Sequence, residues 1–361
     1  VKLARLFDAS IVLRQLAHSP LARAGAVAIL VASLLAVFAD VLASDLPVLA
    51  RTRGATYILP CVTEPAALSE TSCRALRDAS AEQEGEWAFC ALVPYGPSTT
   101  TGKVLAPPSG EHPFGTDARG RDVFSRVVHG ARTSLGVGLA AVFAFVTIGV
   151  IFGAFAGFFG GVFDALLTRV VETIAAFPTL VFVIVVQALL EKPGTLTMVL
   201  AIALTRWTEV ARLVRAEVIV VAAEEYTLAA RALGASPFRV LRKHVLPNAL
   251  VPALVAGTFG VASVVLIEAS LAFLGLGAPD ATASWGETLG QARHHFGAYW
   301  LLVFPGVALF ATVASLNLLG EALRDALDPR LRDAPARAMQ ESPRADASPP
   351  SAAAFDDSAH A

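Results

Sequence analysis

The sequence predicts an all-α, polytopic membrane protein with about six transmembrane helices. Composition is the first reason: the 361-residue chain is 55% hydrophobic and 16% charged, with mean hydropathy +0.62, more apolar surface than a soluble domain can bury. Long uncharged windows are the second, since a spanning helix needs about 17–25 apolar residues to cross ~30 Å of hydrocarbon. The net charge of −2, with no arginine-rich stripe interleaved with aromatics, leaves no electrostatic footprint for nucleic acid.

Residues 1–21 are expected to be a cytoplasmic N-terminus carrying Lys2, Arg5 and Arg14. The first span follows within 22–44, apolar from Ala24 to Ala39 and continuing past Asp40 to Ala43. Its basic flank imitates a secretory signal, but no small-residue cleavage site ends it, so an uncleaved helix is expected. Residues 45–132 then form an extracytoplasmic loop with all three cysteines, Cys61, Cys73 and Cys90. An oxidising compartment permits one disulfide, and the sequence leaves its pairing open. Gly96 to Val104 imitates a phosphate-binding loop, but its glycine spacing is too long, and Val104 follows Lys103 where Ser or Thr is needed. Residues His112 to Arg132 are a Gly-punctuated turn leading into a short amphipathic helix at the membrane surface, whose charges anchor at headgroups or pair with one another.

Residues 133–330 are expected to form the core, with five further spans. Thr133–Phe163 is uncharged, with Gly149, Gly153 and Gly157 on one face suited to close helix packing and Gly160 and Gly161 in a turn. Thr173–Leu190 is the third span. The fourth is weakest, uncharged only over Pro193–Thr205 and extended around Arg206 and Glu209. Val245–Ile267 and Phe296–Gly320 complete the set. Arg212, Arg215, Arg231, Arg239, Arg242 and Lys243 lie between spans four and five, which places that loop in the cytoplasm with the N-terminus. Residues 331–361, rich in Ala, Pro and Ser, are expected to be a disordered cytoplasmic tail. Glu268 stands near the outer end of span five, where a carboxylate costs about 2.5–3.5 kcal/mol at full depth and less near an interface. It is either a buried hydrogen-bonded strut or a pathway-lining group. No His-Glu-x-x-His or Gly-x-Ser-x-Gly appears, and the chain is not expected to be an enzyme.

The segment 222–247 carries the most specific chemistry. Glu224 and Glu225 suit a helix N-terminus, Gly234 breaks that helix, and Ser236-Pro237 can cap and start another. Small residues at Ala229, Ala230 and Ala232 leave a surface that a partner can approach closely. Ala-Ala, three residues, Gly, and Leu-Pro after eleven more resembles the cytoplasmic "EAA" loop of ABC importer permeases, which docks into a cleft of the ATPase. Ala229, Ala230, Gly234, Leu246 and Pro247 match that motif, with Glu225, Ala235 and Ser236 beside them. Leu228 stands where the motif has glutamate.

Further segments resemble the dipeptide and oligopeptide branch, specifically its C-type permease: His112-Pro113-Phe114-Gly115-Thr116-Asp117 with Gly120-Arg121-Asp122, Ala176-Phe177-Pro178, and Glu268 to Gly277 with Ser284-Trp285-Gly286. The resemblance covers His112 to Arg332, leaving Ser44–Glu111 as an insertion. It implies a type I ABC importer permease fold in a bacterial-type inner membrane. It also implies a second homologous permease, two ATPase subunits or domains holding ATP and Mg, an exterior solute-binding protein and surrounding lipid as partners, with no cofactor in this chain. Pro178 and Glu268 become pathway or structural candidates. An ion-coupled secondary transporter is the rival reading. It calls for ionisable groups at mid-membrane, and spans two and six contain none.

Overall fold

The computed structural model describes residues 19–52, 54–68, 71–80, 86–190, 194–277 and 282–327. The N-terminal basic cluster and the tail expected to be disordered lie outside the described residues. Ser19 caps the first helix, α1 (Pro20–Val37), by accepting from the Ala22 N–H at 3.3 Å, and a one-turn helix, α2 (Ala39–Leu42), prolongs it.

The loop domain that follows is ordered and partly β, an addition to the all-α expectation. Strands β1 (Leu49–Thr52), β2 (Ala55–Ile58) and β3 (Trp87–Phe89) form an antiparallel sheet in the order β2-β1-β3. Two short helices, α3 (Pro60–Thr63) and α4 (Cys73–Ser80), complete the domain. A disulfide joins Cys73 to Cys90, and Cys61 is a buried free thiol. Burial pushes the Cys61 pKa up, which makes it a poor nucleophile.

The second long helix, α5 (Val123–Phe159), has 37 residues. Residues 123–132 are therefore the first turns of span two and not a separate surface helix, because Asp122 caps a continuous helix by accepting from the Ser125 N–H at 2.9 Å. The turn at Gly160 and Gly161 has φ of +64° and +66°, a conformation that glycine adopts without penalty. Helices α6 (Gly161–Ala175) and α7 (Thr179–Leu189) follow, bent by 77° at a break that holds Pro178. The chain continues through α8 (Thr195–Ala222), α9 (Glu225–Ala232), α10 (Pro237–Val240), a π turn at Leu241–Val245, α11 (Leu246–Ala249), α12 (Val251–Phe273), α13 (Trp285–Ala292) and α14 (Trp300–Leu327).

Among the described residues, α1, α5, α12 and α14 are long and apolar enough to cross a membrane, and the α6–α7 pair adds a fifth span. The sixth, α8, has 28 residues but carries charge, as the weak fourth window anticipated. Three of its five charged residues have partners: Arg206 donates to Ser263 at 2.8 Å and to Glu209 at 3.0 Å, and Arg215 pairs with Asp164 of α6. The packing of α5 on α8 fixes the direction. A Cβ at Gly149 would meet Val210, one at Gly153 would meet Ala211, and one at Gly157 would meet Arg215 and Val218. The numbers rise together, so the two helices run parallel and the chain between them must recross.

Candidate functional site

The segment 222–247 begins where α8 ends. Thr227, fully buried, donates its hydroxyl to the Val221 carbonyl at 3.0 Å and ties α9 to α8. The helix stops as expected at Gly234, whose φ is +82°. The Gly234 N–H donates to Arg231 O at 2.9 Å and the Ala235 N–H to Ala230 O at 3.1 Å. These paired bonds form a Schellman closure, which satisfies the last carbonyls of the helix. Ala230 and Ala235 pack against the main apolar core, so the turn itself is the anchor. Ser236 precedes α10, as the sequence indicated, but its hydroxyl makes no capping bond.

The outward face of this element carries Glu225, Leu228, Ala229 and Ser236, all exposed. Leu233 and Phe238 join Leu228 there, 89% and 60% exposed. Sequence reading missed both, although apolar residues flanking Gly234 and Pro237 in a charged loop were a usable signal. Arg231 lies over the Phe158 ring at 4.9 Å, joining α9 to the C-terminal end of α5. Leu246 and Pro247 are half-buried and open α11 directly after the π turn. Pro247 has no N–H and its ring crowds the carbonyl four residues back, that of Lys243; the wider π turn lies just before it, and Asn248 donates its side-chain amide to the His244 carbonyl at 2.7 Å.

Glu268 is fully buried in α12, accepting from Ser134 of α5 at 2.8 Å and from Ser284, the cap of α13, at 2.7 Å. Both carboxylate oxygens are held, the arrangement of a strut. Pro178 opens α7 at the bend, with φ −60° and ψ 123°.

At the opposite end, the charges of the His112–Arg132 segment pair with one another and with Asp40 and Glu287 outside it. Asp117 accepts from Arg121 Nε at 2.7 Å, and Glu287 of α13 accepts from Arg121 at 3.0 Å and from Arg126 at 2.6 Å. Burial raises the Asp117 pKa, but the Arg121 bonds and charge outweigh it and hold the carboxyl below its usual range. Asp122 moves the other way, because burial outweighs its bonds to Ser125 and His112. Trp300 Nε1 donates to Thr116 O at 2.9 Å. The loop after span one and the segment before span six thus meet on one side, as six crossings require. Among the described residues no cluster of His, Cys, Asp and Glu could hold a metal ion, and His294 and His295 lie in the turn before α14.

Residues 149–333 match the family described as "Binding-protein-dependent transport system inner membrane component". A putative peptide transport system permease protein of Brucella suis is 40% identical over 238 residues, covering 65% of this chain and 80% of its own. The oligopeptide transport system permease protein OppC of Bacillus subtilis is 42% identical over 227 residues, covering 63% and 74%. The dipeptide transport system permease protein DppC of the same organism is 41% identical over 228 residues, covering 63% and 71%. Among solved structures, an amino acid ABC transporter overlaps with a TM-score of 0.41 at 19% identity, covering 56% of this chain and 94% of its own.

Proposed function

The chain belongs to the family of binding-protein-dependent transport system inner membrane components, and from that premise we propose that it forms half of the translocation path of an ATP-driven importer for peptides or related small solutes. As a member of that family it is a multi-pass inner-membrane transport subunit and not an enzyme. The reading adds a homologous second permease, two cytoplasmic ATPase subunits or domains that hold ATP and Mg, and an exterior binding protein that delivers the solute. Peptide is the substrate class because the similar permeases of Brucella suis and Bacillus subtilis carry that word in their names.

One observation supports the coupling role best: segment 222–247 is an exposed helix, a closed turn and a second helix, with Leu228, Leu233 and Phe238 outward and its root buried through Thr227 and Ala235. A surface that is apolar outside and rigid at its base suits insertion into a cleft of another subunit. Hydrolysis there would rock the two permeases between inward-facing and outward-facing states as rigid bodies. The test is labelling of Ser236→Cys by a membrane-impermeant thiol reagent, together with recovery of an ATPase on purification. Protection in intact cells, reactivity after permeabilisation and a co-purifying ATPase are expected; labelling in intact cells would overturn the assignment.

A further inference from the structure

The sheet of the inserted domain has one covered face and one bare face. Side chains alternate between the faces of a strand, and the exposures follow that period. Ala50, Thr52, Tyr57 and Ala88 are buried or half-buried on one face, where Ala55 at the strand end is exposed, while Leu49, Arg51, Thr56, Ile58, Trp87 and Phe89 are exposed on the other. The covered face shares a groove with Leu68, Ala75 and Leu76, and the Cys73–Cys90 disulfide pins α4 against it.

Register puts the bare face into two rows. Ile58, Leu49 and Phe89 stand opposite one another across the three strands, 71%, 37% and 65% exposed. Two residues along each strand, Thr56, Arg51 and Trp87 form the second row. The sheet is fastened to the outer end of span one, because the Val93 N–H donates to Leu42 O at 3.0 Å and the Ser44 N–H to Val93 O at 3.2 Å. Along both β1 and β3 the apolar row is the one nearer that anchor, and the Arg–Trp row is farther out. Apolar groups closest to the span, then tryptophan and arginine, is the order of polarity met on leaving a bilayer. A protein partner imposes no such gradient.

We propose that this face of the inserted domain lies on the lipid surface beside the outer end of span one. Ile58, Leu49 and Phe89 enter the acyl boundary, and Trp87 and Arg51 stand at headgroup level. The contact continues the lipid-facing surface of α1 and its C-cap, where Val31, Leu34, Val37 and Phe38 are exposed, and it requires neither the solute nor the ATPase.

Trp87 reports on this directly: it is 43% exposed, whereas Trp207, Trp285 and Trp300 are 6%, 2% and 6% exposed. The full chain is placed in nanodiscs of phosphatidylcholine and phosphatidylglycerol, and the fluorescence difference between wild type and Trp87→Phe isolates this side chain. The difference signal should lose most of its intensity when the phosphatidylcholine is brominated near the top of its acyl chain, and little to aqueous iodide. The double variant Ile58→Asp, Phe89→Asp alters only exposed side chains, so the domain stays folded, and the two sensitivities should exchange. Quenching of wild type by iodide and not by bromolipid would overturn the proposal. Shielding from both quenchers would also overturn it, since the face would then be covered by protein.

Discussion

The carbonyl oxygen of Ala211 lies 2.5 Å from the point where a Cβ on Gly153 would stand. No side chain fits there, so α5 and α8 touch backbone to backbone, as small residues permit in lipid. Gly153→Ala should force the helices apart and lower stability by about 1–3 kcal/mol, the usual range for overpacking. Gly136→Ala in the same helix is the control, since nothing lies within 4 Å of its Cβ position. Thermal unfolding in detergent should separate the two variants. Equal melting points would mean that the crossing is looser than described.

Gly234 supplies the left-handed residue of the Schellman turn, and open space surrounds it. Replacement there costs backbone strain alone, about 1–2 kcal/mol for most residues, and more for a β-branched one. Gly234→Val should abolish uptake, whereas Gly234→Asn, a residue that visits this conformation, should retain most of it. If the valine variant assembles and transports at the wild-type rate, the turn is not part of the coupling device.

Leu228 is 51% exposed on α9, close to its N-terminus. A negative charge there interacts favourably with the helix dipole, and exposed substitutions of this kind change stability by about 0.5 kcal/mol or less. Leu228→Glu should therefore fold normally and still bind its ATPase in a pull-down. Complete loss of that binding would show a partner cleft remodelled around an apolar side chain.

Glu268 holds two hydroxyls that have no water to turn to. Glu268→Ala strands Ser134 and Ser284, at about 1–3 kcal/mol for a buried polar group without a partner, and should lower the melting temperature. Glu268→Gln keeps a hydrogen-bonding side chain of the same shape and should preserve both folding and uptake. A glutamine variant that melts normally but fails to transport would make Glu268 a pathway residue and not a strut.

Features encoded by neighbouring residues were legible in the sequence. The glycine face of span two, the stop at Gly234, the turn at Gly160–Gly161 and the charged weakness of span four each follow from residues a few positions apart. The pairing of Cys73 with Cys90, the small sheet and the partner of Arg126 were not. Arg126 and Glu287 are 161 positions apart, and nothing local in either segment specifies the other. The position of Leu228 in the motif was legible, and Leu233 and Phe238 left the weaker signal of apolar residues beside Gly234 and Pro237, but their exposure of 89% and 60% is visible only in the fold.

The unbroken course of α5 makes it a lever. At about 1.5 Å per residue, its 37 residues span about 55 Å, from the buried arginine–glutamate cluster at one end to Phe158 beneath Arg231 at the other. A tilt of about 10° on a rod of that length displaces its far tip by about 10 Å, more than the width of a peptide backbone. With Arg126 clamped by Glu287 as fulcrum, the proposed coupling role would make a push on α9 appear as a swing of the Phe158 end of the bundle, while the Arg126 end turns in place.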